Sequence, residues 1–377
     1  MTAPSIRGYW LRLRACVLFL LSLLVVSPGV GTESSTFGWR DTWRARLNLP
    51  IAASELVDRP WADLDRDDHI SGGERDGYVA AARSIFDQRF SRSLLALQVG
   101  VTLALCGATF QVLFRNALAT PYTLGIAGGG SLGAMVAIKL GWVTAVAGVS
   151  TLSIAAFGGG VVVVALVLLL ATGARRLTSN ELLLAGVTIG LFCSAMMMIV
   201  TMVSDQRQTF AMVRWMMGSL DAISTVEGAM LLPLLLPAWV VLLGSGRALN
   251  QYRLGDELAA TRGINVAALQ IGCVAAATLA TAAVVGRCGP IGFVGLVVPH
   301  VTALLFGSDG RILLPTSAMI GGAFVIVCDW ASQLVMGAAG WATGRELGSA
   351  TLPIGVLTAI VGVPIFLVLL RARMVER

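Results

Sequence analysis

The chain has 377 residues, of which 56% are hydrophobic and 13% charged, where a soluble domain carries about 25% charged residues. That composition excludes an ordinary water-soluble enzyme or binding module. The net charge of +6 comes from arginines scattered among short loops rather than gathered on one face, which argues against a nucleic-acid partner.

Apolar runs near 20 residues recur along the chain. Each is long enough to cross a ~30 Å hydrocarbon core, and none shows the period-two alternation of barrel strands. The expected fold is an all-α polytopic membrane protein with about ten transmembrane helices. In chain order the runs cover residues 15–30, 93–114, 122–140, 154–171, 182–203, 230–243, 266–285, 291–306, 313–336 and 353–370. Residues 141–153 could extend either neighbour.

Arg7, Arg12 and Arg14 precede the first run, and Arg371, Arg373 and Arg377 follow the last. Arg115, Arg175, Arg176, Arg247, Arg253, Arg262 and Arg311 fall in alternate loops. The positive-inside rule therefore places both termini in the cytoplasm. The first run has a basic start like a signal peptide, but no A-x-A-like site follows it. On either reading residues 31–88 lie outside. The implied organisation is a first transmembrane helix (1–30), an outer insertion (31–88) and a membrane domain (89–377).

The outer insertion holds DLDRDDHISGGE, from Asp63 to Glu74. Asp63, Asp65 and Asp67 take loop positions one, three and five, His69 offers a carbonyl at seven, Ser71 sits at nine and Glu74 at twelve. This resembles an EF-hand loop, which holds calcium through oxygen ligands at those positions. Asp68 stands where Gly makes the turn, and Asp tolerates the left-handed backbone. The bland alternative is a solvated acidic turn.

Within the membrane domain, Gly125, Gly129 and Gly133 share one helical face. That spacing serves close helix packing or a pore lining. The six cysteines lack metal-ligand spacing and read as small core residues. Lys139 is the only lysine, so a P-loop is absent and any ATP must be hydrolysed by another chain.

Several strings resemble the permease family of bacterial iron-siderophore, haem and vitamin B12 ABC importers. They are GATFQVLFRNALATPYTLGIAGGGSLGA (107–134), WMMGSL (215–220), LGDELAATRGI (254–264), GPIGFVGLVVPHVTALLFG (289–307) and LPIGVLTAIVGVPIF (352–366). The resemblance implies a homodimer embedded in membrane lipid, two cytoplasmic ATP-binding subunits and a periplasmic substrate-binding protein. It assigns ATPase coupling to Leu254, Gly255, Asp256, Glu257, Ala259 and Gly263. It assigns docking of the binding protein to Arg89, Arg92 and Arg345, and the translocation path to Gln111, Asn116, Gly289, Pro290, Gly295 and Pro299.

The chain departs from the family's usual residues at Ala117, Thr120, Ala303, Gln333 and Thr351, and Arg287 and Cys288 replace small residues. His300, beside Pro299, reads as a packing or capping residue. Two rival functions remain on the sequence alone. An ion-coupled carrier would use a buried carboxylate such as Asp329, and a membrane-anchored calcium-binding scaffold would use the acidic loop.

Overall fold

The computed structural model of the protein describes residues 6–30, 39–51, 56, 71–142, 144–146, 149–172, 179–221, 229, 231–343 and 351–375. The helices are α1 (Ile6–Val26), α2 (Trp39–Arg46), α3 (Gly72–Leu113), α4 (Ile126–Lys139), α5 (Thr151–Thr172), α6 (Ser179–Met202) and α7 (Gln206–Met216). They continue as α8 (Leu232–Gly244), α9 (Gly246–Tyr252), α10 (Asp256–Thr261), α11 (Val266–Cys288), α12 (Val294–Phe306), α13 (Gly310–Thr343) and α14 (Ile354–Val375). Short 3-10 turns cover Ser27–Gly29 and Pro121–Leu124. A two-residue hairpin pairs Ala145 with Ser150 and Val146 with Val149, inside the stretch that hydropathy leaves ambiguous.

Among the described residues, Gly72–Leu113, Glu181–Met202, Val266–Cys288 and Gly310–Met336 are long and apolar enough to cross a membrane. A further candidate is the pair Leu232–Gly244 and Gly246–Tyr252, bent by 48°. The bend falls at Gly244-Ser245-Gly246, a Gly/Ser cluster of the kind that kinks helices. Shorter apolar helices fill the remaining runs: Arg14–Gly29, Ile126–Lys139, Thr151–Val167, Val294–Phe306 and Ile354–Leu369. The third run does not start as one helix. A 3-10 turn at Pro121–Leu124 is followed by Gly125 at φ +78°, so α4 begins only at Ile126.

α3 has 42 residues and is therefore about 63 Å long, roughly twice the hydrocarbon thickness. It runs unbroken through residues 88 and 89, where the sequence reading places a domain boundary.

Contacts divide the chain into two units. One comprises residues 1–96, 220–230 and 326–352. One hydrophobic cluster in it comprises Ala45, Ile51, Leu56, Tyr78 and Ala82, with Val79 and Ile85 packed against them. Trp43 meets Phe86 edge-on at 4.8 Å, and Phe86 stacks on Phe90 at 5.7 Å. The indole N–H groups of Trp39 and Trp43 both donate to the Val25 carbonyl at 3.0 Å. They satisfy one of the carbonyls that the end of α1 leaves without an intrahelical donor. Arg83 donates to the Ala45 carbonyl at 3.2 Å, tying α2 to the first half of α3.

The other unit comprises residues 97–219, 231–325 and 353–377. α4 packs on α5 and α6, and α11 packs on α5 and α8. The α4–α5 contact is backbone on backbone: a Cβ at Gly129 would lie 2.5 Å from the Gly159 carbonyl oxygen, and one at Gly159 would lie 2.2 Å from that of Gly129. The glycine face of α4 is thus a packing face. Small residues allow such close approach where lipid supplies no hydrophobic drive for helix association.

Candidate functional site

The second unit gathers most of the predicted coupling and path residues around the C-terminal end of α3. Pro299 lies inside α12. Having no N–H, it leaves the carbonyl four residues earlier, that of Gly295, without its helical donor. Gln111 of α3 supplies the missing bond: its Nε2 donates to Gly295 O and to Leu296 O, each at 3.2 Å. The side chain can reach because the two helices touch through glycines. A Cβ on Gly107 would stand 2.0 Å from the Gly295 carbonyl oxygen. Non-helical or broken backbone is tolerated in a membrane only when its polar groups are satisfied in this way.

One turn beyond Gln111, Arg115 adopts φ +48°, an uncommon conformation for a residue with a Cβ. Its guanidinium donates to the Tyr252 carbonyl at 2.8 Å and to Asp256 Oδ1 at 2.5 Å. It also lies over the Tyr252 ring, 4.7 Å from the centroid. The far side of the same segment is tied to the start of α13. Asn250 Nδ2 donates to Asp309 Oδ1 at 2.6 Å, and Asn250 Oδ1 accepts from Gly310 N at 2.6 Å. Arg253 donates to the Ser308 carbonyl. Tyr252 Oη accepts from Gln270 of α11 at 3.0 Å. A cavity of about 380 Å³ lies here, lined by Gln111, Arg115, Arg253, Pro299, His300 and Ala303 among others.

The coupling residues predicted from sequence form one compact element. Gly255 (φ +124°) and Gly263 (φ +82°) bracket α10, conformations that favour glycine. Ala259 is fully buried and anchors the helix, whereas Leu254 (56%) and Leu258 (53%) are exposed apolar side chains on a polar loop. Asp256 and Glu257 are also exposed.

The other path residues have local tasks. Asn116 Oδ1 accepts from Leu118 N at 2.9 Å, closing a turn. Gly289 (φ +72°) ends α11, where a Cβ would lie 2.5 Å from the Trp215 carbonyl oxygen. The Pro290 carbonyl oxygen lies close to Gly218 and Gly355. His300 is buried, with its ring edge-on to Phe366 at 6.1 Å.

In the first unit, the arginines expected to face a partner are held within the chain. Arg89 is 8% exposed and donates to the Pro28 carbonyl at 2.9 Å. Arg92 donates to Asp329 Oδ1 at 2.7 Å, and its other nitrogen lies 3.6 Å from Asp221. Gln333 completes the site by donating to Asp329 Oδ2 at 3.0 Å. Asp329 is 1% exposed. Sequence reasoning marked Asp329 but not its partner. The usable signal was that a carboxylate inside an apolar run needs a cation nearby, and Arg92 stands at a span edge.

Arg345 lies outside the described residues, as do Asp63, Asp65, Asp67 and His69. Ser71 and Glu74 are described. The Glu74 carboxylate accepts from Ser71 N at 2.9 Å and Ser71 Oγ at 2.7 Å, a capping box that starts α3.

The comparisons with known proteins make this chain a polytopic membrane transport subunit of the ABC-importer type, held in the inner (cytoplasmic) membrane. The chain belongs to the FecCD transport family, whose pattern matches residues 68–372. It is 36% identical over 376 residues to the cobalamin import system permease protein BtuC of Halobacterium salinarum, covering 96% of each chain. It is 35% identical over 337 residues to the vitamin B12 import system permease protein BtuC of Vibrio vulnificus, covering 86% of this chain and 93% of that one. Among solved structures it is similar to a metal-chelate type ABC transporter in an inward-facing conformation. The TM-score is 0.72, the identity 26%, and the match covers 96% of this chain and 99% of the other.

Removing one partner of a buried ion pair strands the other. Arg92→Met should therefore destabilise the first unit by about 3–5 kcal/mol, while Arg92→Met with Asp329→Leu should recover most of the loss. Thermal unfolding in detergent reads both. A single variant that melts with the wild-type chain would remove the pair from the account.

Proposed function

We propose that two copies of this chain form the membrane path of an ATP-driven importer for metal chelates of the cobalamin type. The observation that carries this reading is the near full-length similarity to a cobalamin import permease, which covers 96% of each chain. Iron-siderophore and haem chelates belong to the same chemical class of bulky metal complexes, and a binding protein outside the membrane makes the choice among them.

ATP hydrolysis is supplied by a separate cytoplasmic subunit that seats on α10. Leu254 and Leu258 offer it an apolar ridge beside Glu257, and the buried Ala259 holds the helix down. A short amphipathic helix presenting such anchors suits a groove on a partner. The ion-coupled alternative would use Asp329 as a relay, but Arg92 and Gln333 already hold that carboxylate. With Arg89 and Arg92 engaged inside the chain, they act as ties for the outer end of α3 and the docking face is built around them.

The acidic loop is assigned to calcium, because Asp63, Asp65, Asp67, Ser71 and Glu74 with the His69 carbonyl make an all-oxygen donor set.

Two measurements test these readings. Leu254→Ser with Leu258→Ser should leave the chain in the membrane but cut co-purification of its ATPase by more than about tenfold, since these side chains would be the central anchors of the interface. Undiminished co-purification would overturn the seat. Calorimetry on the full chain in detergent should show calcium binding with a dissociation constant of order 10⁻⁴–10⁻³ M. Glu74→Gln should weaken it while keeping the helix cap, since Gln also serves a capping box. No heat of binding at millimolar calcium would reduce the loop to an acidic turn.

A further inference from the structure

We propose that Arg115 is a positioning residue that latches the coupling segment to α3, and that Asp256 belongs to this latch rather than to the ATPase contact. The inference rests on the reading of α10 as the ATPase seat.

Three contacts converge on one guanidinium. It donates to the Tyr252 carbonyl at the end of α9 and to the Asp256 carboxylate at the start of α10, and it covers the Tyr252 ring. These two residues flank the turn at Gly255, so Arg115 bridges the hinge on which α10 is mounted. A planar guanidinium with five donors suits such a bridge, because it can hold a carboxylate and a carbonyl while stacking on an aromatic face; lysine offers no equivalent fork.

The backbone at Arg115 supports the assignment. The residue sits at φ +48°, a conformation retained where surrounding contacts determine it. The turn carries Arg115 off the end of α3 toward α9. A helical continuation would send the side chain elsewhere.

The latch has an onward connection. Gln111 lies four residues earlier on α3, and its amide completes the hydrogen bonding of α12 at Gly295 and Leu296. A displacement of α10 therefore reaches α3 through Arg115 and reaches α12 through Gln111, by way of polar bonds and one glycine contact. The opposite side of the segment is held by Asn250 and Arg253 on the turn before α13. The segment is thus held by two sets of contacts, and Arg115 is the one that continues through α3 to the proline-containing helix α12.

Asp256 is 54% exposed as a side chain and Arg115 45%. The pair is partly screened by solvent, so its charge contributes little to overall stability, and its proposed task is to direct force rather than to hold the fold.

A charge swap separates the two roles of Asp256. The full-length chain in lipid nanodiscs, bound to its ATPase subunit, is compared as wild type, Asp256→Arg, and Asp256→Arg with Arg115→Asp. Amide hydrogen exchange over residues 250–263 and recovery of the ATPase are read in each. Asp256→Arg should speed exchange in that segment by about tenfold or more while the ATPase stays bound. Adding Arg115→Asp restores the ion pair but neither the bond to the Tyr252 carbonyl nor the ring contact, so exchange should return part of the way, to between the single variant and wild type. Arg115→Lys should not hold the segment as the native residue does. If the swap leaves exchange as fast as the single variant, or if Asp256→Arg alone releases the ATPase, the latch is overturned and Asp256 is a direct contact. If the wild-type chain recovers no ATPase, the functional reading fails, and the exchange data still decide whether Arg115 holds the segment.

Discussion

Everything at the arginine-rich end of the second unit depends on one unsatisfied carbonyl. Pro299 cannot donate to Gly295, and within hydrocarbon an unmet backbone oxygen costs several kcal/mol. Gln111 meets that need at 3.2 Å, and it can do so because Gly107 and Gly295 bring α3 and α12 into backbone contact. Replacing either glycine would push the amide out of reach, and replacing Gln111 would leave the Gly295 carbonyl without a donor. The donor that Pro299 removes is therefore supplied by a neighbouring helix rather than by α12 itself. That arrangement lets a proline stand inside a membrane helix without an unmet carbonyl.

From this contact the rest of the site follows by connection along α3. Arg115 is one turn further on and grips the segment carrying α10, whose exposed leucines suit a partner's groove. If a partner ATPase drives the permease as proposed, such a line of contacts would let its work alter the membrane helices, since coupling is carried by contiguous hydrogen bonds and packed elements.

Much of this was legible in the sequence, and the limits have physical causes. Apolar run length revealed the helical membrane class. The family resemblance, not local chemistry, singles out Gly255, Ala259 and Gly263; the structure places the two glycines at positive φ on either side of α10 and buries Ala259. The glycine spacing of α4 correctly suggested close packing but did not reveal the partner, Gly159 of α5. The resemblance assigns Arg89 and Arg92 to docking, and an arginine near a span edge does not announce which residues of its own chain it meets. Asp329, the acid that holds Arg92, is 237 residues away, and Pro28, which accepts from Arg89, is 61 residues away. Periodicity carries no information across such distances. Hydropathy likewise reports neither the 48° bend after α8 nor the 3-10 start of the third run, since both are changes of backbone direction within an unchanged apolar composition. Gln111 and Pro299 were each noticed, yet their pairing depends on which carbonyl a proline frees and which helix lies beside it.

The central claim is that this chain is the membrane path for ATP-driven uptake of a metal chelate. The most direct measurement reconstitutes it in sealed lipid vesicles with an ATPase subunit and a corrinoid-binding protein of the same cell, then follows labelled cyanocobalamin. The account predicts accumulation that requires ATP and the binding protein and persists when ion gradients are collapsed. Uptake that proceeds without ATP and vanishes with the ion gradient would contradict it.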